Sequence, residues 1–199
     1  MKKNYEYEER AFLTEEEFFR IKKVLKSMTV SIEIDNKVSY FFVLPEQNLS
    51  IAKSEKKCVI KYKHGSVGVG NGFAEYEIPV DKQYLQQTVD MLKMLCGTTP
   101  QFSEQFRVNY ILPNEIEVAL KYTQTWGFHL EIEKIYTDEK DKALAKKEVE
   151  ETADKLKIHL ITDTEMKGFR DNFDDGGTPK GEYTSEQFRE KFGELFSEK

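Results

Sequence analysis

Three strand-like stretches carry paired carboxylates two residues apart: Glu6 and Glu8, Glu75 and Glu77, Glu131 and Glu133. In an extended chain residues i and i+2 share a face, so each pair points one way, and Arg10 continues the first series. Reading the other segments in steps of two adds Lys61, Lys63, Arg107, Asn109, Glu117, Lys121 and His129 to the charged face. The alternate positions are apolar: Tyr5 and Tyr7, Ile60 and Tyr62, Phe106, Val108 and Tyr110, Phe128 and Leu130. An antiparallel sheet with one wetted face would explain this. A barrel of inverted polarity would also explain it, with apolar faces outward under helices and charged faces lining a channel. Crowded carboxylates repel, and burial raises their pKa unless cations neutralise them. Mg²⁺ and Mn²⁺ take oxygen ligands, typically one or two carboxylates plus substrate phosphates. Arg and Lys in the same lumen suit a polyanion. Both signs together fit a metal–polyphosphate complex, whose chemistry needs chiefly positioning and charge neutralisation.

Those residues must be held by many short strands. Beyond the first strand, alternation predicts strands at Thr29–Asp35, Val38–Leu44, Asn48–Ser54, Lys57–Lys63, Phe73–Pro79, Gln101–Leu112, Glu115–Tyr122 and Trp126–Tyr136. Short connections predict antiparallel neighbours. Thr14 and Glu17 read as a capping box opening an amphipathic helix to about Ser27, with Phe18, Ile21, Val24 and Leu25 as its stripe. Further helices are expected from Asp81 to Gly97, Thr137 to Leu156, Thr162 to Phe173 and Ser185 to Ser197. The run Gly68-Val69-Gly70-Asn71-Gly72 precedes a strand rather than a helix, so it reads as a hairpin loop and not a phosphate loop. The expected class is therefore α+β: a closed antiparallel β-barrel, or tunnel, of about eight strands with a polar interior and amphipathic helices outside.

The chain has 199 residues, enough for one domain, with 39% hydrophobic residues to build a core. A formal net charge of −6 disfavours nucleic acid and anionic membranes as partners. Cys58 and Cys96 make neither a disulfide framework nor a zinc site, and no apolar run reaches membrane-span length, so a cytoplasmic location is expected.

The series Glu-x-Glu-x-Arg at residues 6–10, Tyr62-Lys63 after a hairpin, Glu75-x-Glu77, Arg107-x-x-Tyr110 and a closing Gly127-x-x-x-Glu131-x-Glu133 resembles the CYTH superfamily, the triphosphate tunnel metalloenzymes. The resemblance runs in order over roughly Asn4 to Ile135. It implies a tunnel that holds a triphosphate and Mg²⁺ or Mn²⁺. It implies Glu6, Glu8, Glu75, Glu77, Glu131 and Glu133 as metal ligands, and Glu131, Glu133 and Arg107 as catalytic groups. Arg10, Lys63, Arg107 and Tyr110 become substrate contacts, and Lys61 and Lys121 are candidates for the same role. The sequence departs from the family pattern at Ser50, Ala52, Phe73 and Gln105, where basic residues are usual, and at Lys121, near a common Asp. Lys53, Lys57, Lys61 and Lys121 are candidates to restore the lost charge.

The expected organisation is a tunnel domain over residues 1–173, a linker over 174–183 and a C-terminal helix over 184–199 that packs on or near the barrel. The expected activity is metal-dependent hydrolysis of tripolyphosphate, thiamine triphosphate or a nucleoside triphosphate such as ATP, by a monomer or homodimer. The alternatives are cyclisation of ATP to cyclic AMP by a class IV-type adenylate cyclase, non-catalytic nucleotide or polyphosphate binding, and a β domain with no ligand.

Overall fold

A computed structural model describes residues 5–44, 47–64, 74–174 and 180–197. Nine strands alternate with five helices: β1 (Tyr5–Phe12), α1 (Glu15–Met28), β2 (Ser31–Ile34), β3 (Lys37–Leu44), β4 (Gln47–Ser54), β5 (Cys58–His64), β6 (Ala74–Pro79), α2 (Leu85–Cys96), β7 (Gln101–Ile111), β8 (Ile116–Thr123), β9 (Gly127–Tyr136), α3 (Lys142–Leu156), α4 (Asp163–Asp174) and α5 (Ser185–Phe192). The strands form one antiparallel sheet in the order β1-β9-β8-β7-β3-β4-β5-β6, with β2 also on β7. The sheet curls into a half-barrel, an α+β architecture consistent with a tunnel. Among the described residues no ladder joins β1 to β6. The glycine-rich loop at 65–72 lies outside the described residues.

The apolar alternation sets which side the helices cover. Tyr7, Phe106, Val108, Tyr110, Val118, Leu120, Phe128, Leu130 and Ile132 share one core with Phe18, Ile21 and Leu25 of α1, Val149 and Ala153 of α3, and Phe188 and Phe192 of α5. Under α2, Val89 and Leu92 pack on Phe42, Ile51 and Cys58. The greasy faces therefore point outward under helices, and the charged faces line the concave side. The α1 start is the expected capping box: Thr14 accepts from the Glu17 amide at 3.2 Å, and Glu17 accepts from the Thr14 amide at 2.8 Å.

Three local outcomes differ from expectation. Val38–Leu44 was expected to pair with the preceding segment, but β2 and β3 both lie along β7: β2 opposite Val108–Ile111 and β3 opposite Gln101–Gln105. Asp35-Asn36 thus interrupts one line of strand, and the Asn36 side chain accepts from the Arg107 amide at 3.0 Å. The helix expected from Thr137 begins at Lys142 after a short 3-10 turn, and the C-terminal helix ends at Phe192 before another. Residues 180–183, assigned to a linker, dock on the β8–β9 turn. The Lys180 and Gly181 amides each donate at 3.0 Å, to the Thr125 and Gln124 carbonyls. The Tyr122 hydroxyl donates to the Tyr183 carbonyl at 2.5 Å and accepts from its amide at 2.7 Å. A Cβ on Gly181 would lie 2.5 Å from the Gln124 carbonyl oxygen. Gly181→Ala is therefore expected to cost about 1–3 kcal/mol, read as a lower urea midpoint; an unchanged midpoint would mean that this strap docks loosely.

Candidate active site

The strand registers sort the concave face into rows. Glu8, Glu133 and Glu117 lie directly opposite one another across β1, β9 and β8. The next row holds Arg10 opposite Glu131, and the row beyond holds His129, Lys121 and Arg107. Neighbouring rows are two residues apart, about 7 Å along the strand. An acidic end thus grades into a cationic layer.

Ion pairs stitch the rows together. Arg10 pairs with Glu8, and its Nε donates to Glu131 Oε1 at 3.2 Å. Lys121 donates to Glu131 Oε2. Arg107 bridges Asn109 and Glu117. Glu133 has no hydrogen bond or ion pair among the described residues. Burial, then the Glu117 and Glu8 charges, push its carboxyl above the usual range.

Lys121 is only 2% exposed. Burial and then the Arg107 cation lower its ammonium well below the usual lysine range, while Glu8 opposes that shift. Burial, with Lys121 next, lowers the His129 imidazole to about 3. His129 is therefore neutral, and its Nδ1 lies 2.9 Å from the Gly127 carbonyl, a contact it can make only as donor. His129 contributes no positive charge to the layer.

Lys37, the first residue of β3, falls between the two strands expected from the sequence and joins this layer. It pairs with Asp35 at 2.8 Å, and burial, then Arg107, lower its ammonium, with Lys61 adding to the effect. Lys61 pairs with Glu77 at 2.5 Å, and Lys57 reaches the same carboxylate at 3.2 Å. Burial works against the Glu77 charge, but Lys61 and then Lys57 outweigh it and hold the carboxyl below the usual range. Ser50 and Ala52 do lie on the concave face, opposite Lys61 and Ser39. Lys53, opposite Cys58, lies on the outer one and cannot replace the missing charge there.

The predicted site residues therefore divide. Glu6, Glu8, Arg10, Lys61, Glu77, Arg107, Lys121, Glu131 and Glu133 share the concave face, with Glu6 at its rim opposite Ile135. Lys63 and Glu75 are partners in the β5–β6 ladder, but their side chains lie outside the described part of the structure. Tyr110 is a correction. It is 0% exposed and packs in the helix-covered core, because an odd spacing from Arg107 turns it to the opposite face. Burial raises its hydroxyl to about 12. Glu117 and Lys37 lie on the same concave face and were absent from the assigned ligand set, although the alternation of β8 already put Glu117 on the charged face.

Among the described residues, no three acidic, histidine or cysteine side chains converge to hold a metal ion unaided. The Glu8–Glu133–Glu117 row still suits a hard divalent cation that draws its remaining ligands from water and substrate phosphate, because Glu133 is in direct contact with no cation among the described residues and the pull of Arg107 and Lys121 does not offset its burial and its acidic neighbours. A separate cleft of about 590 Å³ opens on the outer side of β1, lined by Tyr7, Glu9 and Lys146 among others. It shares no residue with this row.

No protein-family model matches the sequence, and no curated protein matches it. Solved structures do match. The PH1012 protein of Pyrococcus horikoshii OT3 aligns with a TM-score of 0.62 at 23% identity, over 77% of this chain and 91% of that one. HpAC1 from Hippeastrum, described as having a dominant triphosphatase activity, aligns with a TM-score of 0.61 at 16% identity, over 90% of this chain and 99% of that one. A chain of the Schizosaccharomyces pombe Mediator head module aligns with a TM-score of 0.59 at 9% identity, over 78% and 97%. At these identities the likeness establishes a shared fold.

Proposed function

We propose that this chain is a divalent-metal-dependent hydrolase of a small triphosphate-containing substrate, bound along the concave face of the half-barrel. The observation that carries the reading is Glu133 between Glu8 and Glu117, without a direct ion pair among the described residues and next to a layer of largely buried cations. A fold shared with HpAC1 raises the prior for phosphoryl chemistry, whereas the Mediator likeness shows that fold alone does not decide it.

Glu133, with Glu8 and Glu117 beside it, would hold the metal. Mg²⁺ or Mn²⁺ there supplies charge neutralisation and lowers the pKa of an attacking water. Arg107 offers a planar fork to phosphate oxygens, and its hold on Asn109 and Glu117 fixes that fork before substrate arrives. Arg10 is oriented in the same way by Glu8 and Glu131. Lys37, Lys61 and Lys121 supply point charges along the polyanion. The helix-covered core packs directly behind these groups.

Incubation with tripolyphosphate, thiamine triphosphate and ATP, each with Mn²⁺ or Mg²⁺, is expected to release phosphate from at least one. Cyclic AMP with pyrophosphate from ATP would identify a cyclase instead. Tight binding of all three with no turnover over hours would identify a non-catalytic binder, and neither binding nor turnover would leave a β domain without a ligand.

A further inference from the structure

Two glutamates of one strand face the same space in opposite circumstances. Both oxygens of Glu131 are engaged by cations of the chain, Oε1 by Arg10 Nε at 3.2 Å and Oε2 by Lys121 Nζ. Glu133, two residues on, has no hydrogen bond or ion pair among the described residues. Lys121 is fixed in place as well as paired. It is 2% exposed, lies across the ladder from His129 and Arg107, and is the only lysine on β8.

We propose that Lys121 takes at Glu131 the place that a divalent cation would occupy. Glu131 is then the counter-ion of a built-in cation, not a metal ligand, and metal binding is confined to the row of Glu8, Glu133 and Glu117 with one ion per chain. The proposal rests on the metal–triphosphate reading above and specifies its stoichiometry. A metal ion that claimed Glu131 would leave a buried ammonium without its carboxylate, the arrangement in which a buried charge is most costly. It would also free Arg10 from one of the two carboxylates that orient it. A metal at Glu133 takes that carboxylate from no ion pair among the described residues, sharing Glu8 with Arg10 and Glu117 with Arg107, and relieves the repulsion between Glu133 and its two neighbours. His129 cannot compete for the ion from Nδ1, which is committed to the Gly127 carbonyl. Lys121 is therefore a positioning residue that fixes where the metal goes and adds a permanent charge beside it.

The test is a calorimetric titration of the full chain with Mn²⁺ and no substrate, so that nothing depends on turnover. The wild type is expected to bind one Mn²⁺. Glu133→Gln should weaken that binding by about tenfold or more, whereas Glu131→Gln should leave the affinity within about threefold. Lys121→Met should release Glu131 and add a second Mn²⁺ site. Equal losses in Glu131→Gln and Glu133→Gln, or two ions in the wild type, would overturn the proposal. No Mn²⁺ on the wild type but one on Lys121→Met would retain the role of Lys121 while removing the native metal. No Mn²⁺ on either would remove both readings. Melting curves confirm that each variant folds, and the two glutamine variants decide the matter by themselves if Lys121→Met does not.

Discussion

Glu133→Gln is expected to lower triphosphate turnover with Mn²⁺ by about a hundredfold or more, while making the metal-free protein more stable. The opposite signs come from one cause. Glu133 lies opposite Glu8 on one side and Glu117 on the other, partly buried, with no ion pair among the described residues. Without metal, burial and then the Glu117 and Glu8 charges weigh on Glu133 more than Arg107 and Lys121 relieve it, and the burden shows as a raised Glu133 pKa. A carboxyl whose folded pKa lies above its unfolded value binds its proton more tightly when folded. Its contribution to stability is fully present below the unfolded pKa, about 4.3 for glutamate, and is lost as pH rises through the folded pKa. Glutamine carries no such penalty. In EDTA, the melting temperature of Glu133→Gln should therefore exceed that of the wild type by a margin that widens from pH 4 upward and then levels. Saturating Mn²⁺ should raise the wild type more than the variant, because the ion binds the folded state through Glu133. A margin that is flat with pH, or a variant less stable than the wild type at pH 7, would mean that the row is already neutralised by protein groups, and the carboxylate would lose its claim to a metal.

The two-sided character of the sheet was legible because it depends only on alternation. In β1, β7, β8 and β9 every second residue declared its face, and Glu6, Glu8, Arg107 and Glu131 appeared where the period placed them. Tyr110 shows that rule prevailing over a motif: the Arg-x-x-Tyr pattern implied a substrate contact, but three residues cannot separate two groups on one face of a strand. What alternation cannot supply is pairing between strands far apart in sequence. β3 lies beside β7, and Asp35-Asn36 looks the same in sequence whether it ends a hairpin or interrupts a strand. Lys37 fell between two expected strands for that reason, and its face could not be read from the alternation of either. Charge pairing was equally invisible. Nothing in Lys121, Glu131 and Glu133 as letters says that one glutamate is occupied and the other open; that difference depends on Lys121 lying opposite His129 across two strands.

The largest expected effect on stability belongs to a residue far from the charges. Phe188 on α5 is 0% exposed. Its ring stacks on Tyr122 at 3.9 Å and 8°, and lies 4.7 Å from Phe106 and 5.7 Å from Phe128. Those three belong to β7, β8 and β9, and each alternates with a group of the candidate site: Phe106 with Arg107, Tyr122 with Lys121, Phe128 with His129. The aromatic layer therefore backs the cationic layer through the thickness of one sheet. Phe188→Ala should cost about 3–5 kcal/mol, because Phe192 at 5.0 Å and Phe196 at 5.5 Å are held by the same cluster and cannot move in to fill the void without giving up their own contacts. Urea unfolding should show a large fall in midpoint at nearly constant slope, the signature of lost stability rather than a changed unfolded state. Because interiors are close-packed and transmit strain, the same variant should also bind tripolyphosphate more weakly, although residue 188 lies on the other side of the sheet from any ligand. A loss of stability below about 1 kcal/mol, the level of an ordinary surface change, would show α5 to be an appendage, and the cationic layer would then have to keep its geometry without it.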